Sequence, residues 1–472
     1  MYVSDTATAC QRKQQRGHPY KYRAESGSMQ GTFSLPSTHA METPAAGDDR
    51  LSELPDCVLT DNVLSRLTSL QAARTSVLSR RWRHLWRAVP CVDIDQREFR
   101  SSEAIASDDD EKRRLSAEES EALEDLCERF LPLLDAPPPP LDTLHLRVSF
   151  RDFRSTGRRF TRRGLARRPV EFHLRCDNYN DGVSYADIKD RFPYFPGLTL
   201  PRHLGAFACR LKTMCLAGLS LEDDFAGCLA KDFTVLEDLR LEGCMYGFCR
   251  LTSQSLRTLV IDISCFRGYI DNDVLAIAAP RIASLRIDAR PPPVTVVGEM
   301  PDLVAAESLT TPSGGELSLL SSLRHARRLG LSKLSTTALL GGVDFPVFGN
   351  LRTLLLYRCD VGVGCQVLRC FLRNAPSLEA LTLRYCSCSV CYSRSRKRKA
   401  RSGEKASDHD DWCIRTACEC MSLKTIELEF YEGCAIDELA QALVRVAEEE
   451  PRPMESSVKN WDGKCSLKIS FT

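Results

Sequence analysis

Two spacings of hydrophobic residues divide this 472-residue chain into a short helical part and a long repetitive part. Between residues 48 and 95 the apolar side chains lie three or four positions apart, which is typical of amphipathic helices. Over residues 141–472 a frame L-x-x-L-x-L recurs instead, and its alternating leucines predict short strands. Residues 1–47 follow neither spacing and are rich in Gly, Ser, Thr, Gln and Pro, so this arm is predicted to be disordered. Residues 96–140 are predicted to form a charged loop and a connecting helix.

The helical part is predicted to contain two helices, each with one apolar face. Pro55 suits a first helical turn, and the apolar face of this first helix comprises Leu54, Val58, Leu59, Val63, Leu64 and Leu67. The second helix is bordered by arginines, and its apolar face comprises Ala73, Val77, Leu78, Trp82, Leu85 and Trp86. A unit of only about 50 residues closes a core poorly by itself. Part of this apolar surface is therefore predicted to contact something outside the unit.

The strand frames return at intervals that indicate a leucine-rich repeat. They begin at residues 141, 211, 236, 256, 282, 351, 378 and 423, with a weaker frame at 326. From residue 211 the spacings of the stronger frames are 25, 20, 26, 69, 27 and 45 residues. A repeat of 20 to 29 residues accounts for these as one, one, one, three, one and two units. Stacked units of this kind share one core, so none is expected to fold alone.

Two segments beside the repeats have helical patterns. In the connecting segment, Ser116 and Glu119 have the spacing of a capping box and predict a helix start. Its buried face is predicted to comprise Leu123, Leu126, Cys127, Phe130 and Leu134. Residues 151–168 contain eight arginines with sparse apolar positions. They are predicted to form a solvated basic helix on the flank of the repeats, with a patch for an acidic partner as the alternative.

The 22 cysteines are scattered through the chain without an export signal, which favours reduced thiols over a disulfide framework. Cys388 and Cys391 have zinc-ligand spacing, and Cys413, Cys418 and Cys420 could complete such a site. The repeats offer another explanation for part of this cluster, because Cys244, Cys359 and Cys386 occupy the Asn/Cys position of the frame, where a small buried residue is expected. No metal and no cofactor is therefore predicted.

Charge and hydropathy narrow the possible functions. Sixty-four basic and 63 acidic residues nearly cancel, so no overall field attracts nucleic acid or anionic membranes. The chain contains neither an 18-residue apolar window nor a secretory signal, which predicts a soluble protein of the nucleus, the cytoplasm or both. No catalytic motif is present among its sequence patterns, so no catalytic residue is predicted.

A basic insertion at residues 392–411 interrupts the repeats. It is predicted to be exposed, either as a solvated loop or as a nuclear-import signal. The import candidates are Arg394, Arg396, Lys397, Arg398, Lys399 and Arg401. Aromatic residues that could stack on bases are absent from residues 393–405, the basic run within this insertion, which disfavours a role in nucleic-acid binding.

The segments "LPDCVLTDNVLSRL" and "ARTSVLSRRWRHLWRAVPCVDID" resemble the F-box of grass-type plant F-box proteins with leucine-rich repeats. The resemblance implies an α/β fold, with a small helical F-box at residues 48–95 followed by an irregular leucine-rich-repeat solenoid. In such a solenoid a curved parallel sheet carries helices on its convex side. It also implies a non-catalytic substrate-recognition subunit of a Skp-cullin-F-box ubiquitin ligase, with a protein target that the sequence does not identify.

By the same resemblance, the F-box contacts a Skp-type adaptor and, through it, a cullin. The implied adaptor-binding residues are Leu54, Pro55, Val58, Leu59, Val63, Leu64, Leu67, Val77, Leu78 and Trp82. Two other functions stay open: a leucine-rich-repeat scaffold without ligase activity, and a nuclear nucleic-acid-binding protein that uses the arginine-rich stretches.

The first helix departs from the family pattern by one residue. Thr60, Asp61 and Asn62 stand where the family has two residues before the next apolar position. The resulting step from Leu59 to Val63 still keeps one helical face, because both i+3 and i+4 steps do so. The register of this helix against the adaptor is therefore an open question.

Overall fold

The computed structural model describes residues 53–99, 109–132, 139–177, 197–198, 207–262, 265–266, 274–287, 293–310, 316–334, 345–361, 366–387, 422–431, 454–461 and 464–471. From Leu54 onward these residues belong to one unit. The predicted disordered arm and the basic insertion lie outside the described residues. No helix in the described part combines the length and the apolar character that crossing a bilayer requires.

Most strands join one large sheet. Across the described ranges, fourteen strands form it, in the order β1-β2-β3-β4-β6-β9-β12-β14-β15-β16-β17-β18-β20-β19. All neighbours from β1 to β18 are parallel, and the last two strands add antiparallel pairs. The strands of this sheet are β1 Cys91–Asp95, β2 Thr143–Ser149, β3 Glu171–Asp177, β4 Thr213–Ala217, β6 Asp238–Glu242, β9 Thr258–Asp262, β12 Ser284–Ile287, β14 Ala305–Thr310, β15 Arg328–Ser332, β16 Thr353–Tyr357, β17 Ala380–Arg384, β18 Thr425–Tyr431, β19 Met454–Trp461 and β20 Lys464–Phe471.

The remaining strands form two small parallel sheets. One contains β5 Ser220–Leu221, β7 Met245–Tyr246 and β10 Cys265–Phe266, and the other contains β8 Arg250–Thr252, β11 Leu275–Ala278 and β13 Val294–Val296. The helices are α1 Asp56–Val58, α2 Ser69–Arg74, α3 Trp82–Leu85, α4 Asp109–Phe130, α5 Phe150–Asp152, α6 Arg158–Ala166, α7 Asp223–Lys231, α8 Glu316–Ser322 and α9 Gln366–Asn374. The protein is thus mixed α/β with a large, mostly parallel sheet, as the sequence predicted.

The strand frames correspond to the strands of this sheet. Each of the eight stronger frames, and the weaker one at residue 326, contains a strand that starts two residues into the frame. The 69-residue gap holds β14 and β15, which confirms its division into three units. The division of the 45-residue gap into two units was wrong. Strand β17 pairs directly with β18, so this gap is one unit with a long insertion.

Alternation along the strands creates the core on one side of the sheet. In β3, Phe172 and Leu174 are buried, whereas Glu171 and His173 on the opposite face are partly exposed. Neighbouring parallel strands are in register, so their buried positions align into continuous apolar rows. Burial of such side chains supplies most of the favourable free energy of folding.

Buried cysteines connect successive repeats. The predicted placement of three of them at the Asn/Cys position of the frame is confirmed, because each lies in the core two residues after the end of a strand. Each thiol donates a hydrogen bond to a carbonyl oxygen of the preceding unit: Cys244 to Leu216 (3.3 Å), Cys359 to Leu331 (3.5 Å) and Cys386 to Leu356 (3.3 Å). The other cysteines of the suggested zinc cluster lie outside the described residues.

The connecting helix starts earlier than predicted. Helix α4 begins at Asp109, so the predicted start at Ser116 was wrong, because that residue lies within the helix. Acidic residues at positions 109 to 111 suit a first turn, because negative charge is favourable near the positive end of a helix dipole. The predicted buried residues Leu123, Leu126, Cys127 and Phe130 are all in the core, and Leu134 lies outside the described residues.

The arginine-rich segment is helical, as predicted, but only one side of it faces solvent. In α6, Phe160 and Leu165 are buried, and Gly164 packs so closely on Leu144 of β2 that a Cβ atom would collide with it. Two of its arginines, the exposed Arg159 and the partly buried Arg163, pair with α4: Arg159 with Glu124 and Glu128, and Arg163 with Glu128 at 2.7 Å. The acidic partner of these two arginines is therefore another helix of the same chain.

Candidate adaptor-binding surface

The helical unit is built from short segments rather than two continuous helices. The first segment runs through α1, a π-helical turn at Leu59–Val63 and a 3-10 turn at Leu64–Arg66. The predicted second helix was wrong in its continuity, because α2 ends at Arg74 and helical structure resumes as α3 only at Trp82. A 3-10 turn at Thr75–Val77 follows α2, which rotates the next residues away from the face that a single helix would give them.

A capping box that the sequence reading overlooked sets the start of α2. Thr68 Oγ1 accepts a hydrogen bond from the Gln71 amide, and the Gln71 side chain accepts one from the Thr68 amide. The T-x-x-Q spacing was the available sequence signal. The Thr68 hydroxyl also donates to Glu98 at 2.9 Å. Burial raises the pKa of this Glu98 carboxyl above its usual value.

The π-turn accommodates the extra residue of the first helix. The amide of Leu64 donates to the carbonyl oxygens of Leu59 and Thr60 together. Leu59 and Leu64, five positions apart, are consequently both fully buried, while Val63 is only partly buried. One inserted residue is what a single π-helical turn absorbs within an α-helix. The apolar face thus continues past the insertion through Leu64 rather than through the predicted Val63.

The ten sequence-predicted adaptor-binding residues fall into three groups by exposure. Leu59, Leu64 and Trp82 are buried in the core of this chain, where they can support a docking surface but offer it little area. The partly buried residues are Leu54, Val58, Val63 and Leu67. The exposed ones are Pro55, Val77 and Leu78.

Val77 and Leu78 form an exposed apolar pair. They are 84% and 66% exposed, which makes them the two most exposed large hydrophobic side chains of the described residues. Their position after the end of α2, in and just beyond the 3-10 turn, turns both side chains outward. Single exposed hydrophobic residues are ordinary on protein surfaces, but a contiguous apolar patch rimmed by polar groups is typical of a contact site.

Arg81 links this pair to the start of the helical unit. Its Nε donates to Asp56 Oδ1 at 2.8 Å, and its Nη2 donates to the carbonyl oxygen of Leu54. The segment that carries Pro55 is thereby held beside the turn that carries Val77 and Leu78. We call Pro55, Val77 and Leu78 the docking surface; the exposed arginines of the flanking segments are Arg74, Arg80 and Arg83.

The helical unit that carries the docking surface contacts the large sheet directly. The Ser69 hydroxyl of α2 accepts a hydrogen bond from the Asp93 amide of β1 at 3.0 Å. The indole of Trp86 packs on Phe130 of α4 with ring centroids 4.8 Å apart, and its Nε1 donates to the Arg83 carbonyl oxygen. Strand β1 in turn pairs with β2 along its full length. The helical unit and the sheet are therefore joined by hydrogen bonds and by core contacts.

A buried carboxylate strengthens this junction. Asp152 in α5 accepts hydrogen bonds from Gln96 Nε2 at 2.5 Å, from Ser149 Oγ at 2.6 Å and from Ser120 Oγ at 2.8 Å. Gln96 follows β1, Ser149 ends β2 and Ser120 belongs to α4, so three elements meet at one side chain. Gln96, Ser149 and Asp152 are buried, and buried polar groups would lose free energy if left unpaired. We call this set the Asp152 junction.

Several predicted features lie outside the described residues. They are the nuclear-import candidates Arg394, Arg396, Lys397, Arg398, Lys399 and Arg401 and the cysteines Cys388, Cys391, Cys413, Cys418 and Cys420. Their assignments stay predictions from the sequence.

Curated plant proteins resemble the chain over most of its length. A meiotic F-box protein, MOF, of Oryza sativa subsp. japonica is 34% identical over 412 residues, which cover 82% of this chain and 81% of that protein. An F-box/LRR-repeat protein of Arabidopsis thaliana is 25% identical over 71% of this chain and 76% of its own length. An F-box/FBD/LRR-repeat protein of the same plant is 48% identical over 60 residues, 13% of each chain. No protein-family model matches the chain.

Proposed function

This chain belongs to the plant F-box proteins with leucine-rich repeats, and on that premise we propose that it is the substrate-recognition subunit of a Skp-cullin-F-box ubiquitin ligase. Proteins of this family are typically non-catalytic adaptors in such complexes. The helical unit is then the F-box, and its docking surface binds a Skp-type adaptor. The strands from β2 to β18 form a divergent leucine-rich-repeat solenoid, with helices on the convex side, that binds a protein target.

The exposed pair Val77 and Leu78 carries this proposal. A folded chain that keeps its two most exposed large hydrophobic side chains adjacent, beside an exposed Pro55, gains nothing from them in its own core. Their burial against a partner would remove apolar surface from water at about 25 cal/mol per Å². Leu59, Leu64 and Trp82 are buried in the core of the same helical unit and would act by supporting its shape.

The proposed catalytic contribution is proximity. The protein brings a target lysine close to a ubiquitin-conjugating enzyme that another subunit holds, which turns an encounter in solution into a reaction within one complex. Effective concentration of this kind contributes several kcal/mol when the orientation is favourable. The rigid attachment of the F-box to β1 and the Asp152 junction support such an orientation.

Replacing Val77 and Leu78 together by serine tests the proposal. We expect the affinity for a Skp-type adaptor, measured by calorimetry or co-purification, to fall by about 2 kcal/mol or more, the scale of an interface hot spot. Thermal stability should change by no more than about 0.5 kcal/mol, because both side chains are exposed.

A matched control keeps this experiment specific. Val347 is 64% exposed and lies among the repeats, so Val347→Ser removes a similar area far along the sequence. The control should bind the adaptor like the unmodified protein. Full adaptor binding by the double variant of Val77 and Leu78 would exclude the docking surface as the site of adaptor binding. An unmodified protein that never binds adaptor would indicate a repeat scaffold without ligase activity.

A further inference from the structure

A row of metal-ligating residue types crosses the first strands of the sheet. Asp93 of β1 pairs with His145 of β2, which pairs with His173 of β3, which pairs with Cys215 of β4. Directly paired residues of parallel strands project from the same face, and here that is the partly exposed face opposite the core. Glu171, two positions before His173 on β3, projects from this face as well.

Three side chains of this region converge on a small volume. Glu171 Oε1 lies 2.9 Å from His173 Nε2 and 3.4 Å from His145 Nε2. The two imidazole rings are stacked, with centroids 4.3 Å apart and planes 10° from parallel. One potential ligand atom from each residue lies within 4.8 Å of the others. Both ring nitrogens and the carboxylate thus approach a common point from two adjacent strands.

The His145 nitrogen at this point lacks a satisfying partner. His145 Nε2 is buried from solvent and makes no hydrogen bond to any described residue, since its approach to Glu171 lacks the required alignment. Buried polar nitrogens without partners are uncommon in folded proteins and call for an explanation. A bound ion would supply the missing partner, because the lone pair of a neutral imidazole is a metal ligand.

We propose that His145, Glu171 and His173 bind a divalent transition-metal ion of the zinc class. Two imidazole nitrogens and one carboxylate oxygen are a ligand set that zinc accepts, with distances of about 2.0 to 2.2 Å. The observed separations allow such distances after side-chain rotation, without displacement of the paired strands. Because the face is partly exposed, a fourth coordination position stays open to water or to an external ligand.

Sequence spacing alone does not reveal this site. His145 precedes Glu171 by a whole connection that contains α5 and α6, and E-x-H by itself is a weak pattern. The parallel register of β2 and β3 brings the two histidines side by side. The site lies on the sheet rather than on the F-box, and the inference goes beyond the proposed ligase function without depending on it.

Cobalt titration of the full-length protein, stripped of metal beforehand, tests the proposal. We expect one Co²⁺ equivalent to give the visible absorption of a nitrogen and oxygen ligand set, without the intense sulfur charge-transfer band that cysteine ligation would add. His173→Asn and Glu171→Gln should each lower the affinity for Co²⁺ at least about tenfold, because even the loss of a supporting outer-shell group has an effect of that size. His325→Asn, which removes a partly exposed histidine far along the sequence, should leave Co²⁺ binding unchanged.

Thermal unfolding in a chelator and in Zn²⁺ separates binding from misfolding. The variants should unfold like the unmodified protein in chelator, because the replaced side chains are partly exposed. Added Zn²⁺ should raise the midpoint of the unmodified protein and of His325→Asn, since a ligand that binds only the folded state stabilises it. The proposal fails if His173→Asn retains the same Co²⁺ equivalent and the same Zn²⁺ stabilisation as His325→Asn, or if the only equivalent shows sulfur ligation.

Discussion

At the scale of single residues, hydrophobic spacing identifies apolar positions but does not tell which partner each one contacts. Leu64 and Leu78 both belong to predicted apolar faces, yet the first is fully buried and the second is 66% exposed. The exposure of Leu78 accompanies the 3-10 turn after α2, a local break that the spacing of apolar residues does not reveal. Only the folded structure therefore distinguishes an interface residue from a core residue among the predicted apolar positions.

Cysteine reactivity should also depend on whether the side chain is buried or exposed. Burial raises the pKa of the Cys176 and Cys244 thiols to about 12, whereas Cys57 in α1 is exposed. Only the thiolate reacts quickly with alkylating reagents, and a thiol with so high a pKa is almost entirely protonated at pH 8. We expect Cys57 to be alkylated rapidly in the folded protein, and Cys176 and Cys244 only after denaturation.

Mass spectrometry of peptides from a timed alkylation measures this. Modification in urea serves as the control, because all three thiols should then react at similar rates. Alkylation of Cys244 at the rate of Cys57 in the folded protein would contradict its buried position at the end of a strand.

At the scale of elements, the sequence predicted strands well where leucines mark the frame. All eight frames are strands, but β3 and β14 were missed because Phe172 and Ala306 occupy positions that the frame reserves for leucine. The antiparallel β19 and β20 were missed for a different reason, since they follow the repeats without sharing their frame. Helix continuity in the F-box was also overestimated, because regular spacing of apolar residues does not reveal π and 3-10 turns.

Deleting Asn62 tests the role of the π-turn. The deletion places Leu59 and Leu64 four positions apart, so an ordinary α-helical turn keeps both on the buried face. We expect the affinity for the adaptor to stay within about threefold, a change of less than about 1 kcal/mol, with thermal stability maintained. Calorimetry with a Skp-type adaptor measures this.

Deletion of Gln71 from α2 is the matched control. It removes one residue from a regular α-helix and also destroys the capping box with Thr68, so it should lower stability and adaptor binding together. A tenfold gain in affinity on deleting Asn62 would instead show that the extra residue displaces the docking surface.

At the scale of the whole molecule, the sequence predicted the order of the parts but not how they join. The boundary predicted at residue 95 falls at the end of β1, and β1 pairs with the first strand of the repeats. The basic insertion at residues 392–411 lies outside the described residues.

Nuclear import is the function predicted for that insertion. Replacing Lys397, Arg398 and Lys399 by alanine should reduce nuclear accumulation of a fluorescent fusion, because the cluster of positive charge is what import signals share. Thermal stability should change by no more than about 0.5 kcal/mol if the segment is exposed. Replacement of three arginines elsewhere, Arg80, Arg83 and Arg87, controls for loss of charge. Unchanged localisation of the first variant would exclude the import signal.

The Asp152 junction predicts that the F-box and the sheet unfold as one cooperative unit. Two of the four tryptophans, Trp82 and Trp86, lie in the F-box, so replacing Trp412 and Trp461 by phenylalanine makes fluorescence report on this part alone. Far-ultraviolet circular dichroism reports on the secondary structure of the whole chain, and most of the described helices and strands lie outside the F-box. In urea the two signals should change together, because coincident transitions are the mark of a single cooperative transition.

Removing the carboxylate should separate the two signals. Asp152→Ala removes the acceptor that Gln96, Ser149 and Ser120 share, and a buried donor such as the Gln96 side-chain amide loses about 1 to 3 kcal/mol when it loses its partner. Because these groups lie where β1, β2 and α4 meet, the fluorescence midpoint should move to lower urea than the circular dichroism midpoint. Asp152→Asn retains an acceptor oxygen and should keep the transitions together. Equal shifts of both signals in Asp152→Ala would show that the junction contributes stability without coupling the F-box to the repeats. In that case only the pairing of β1 with β2 would hold the F-box in a fixed orientation for ubiquitin transfer.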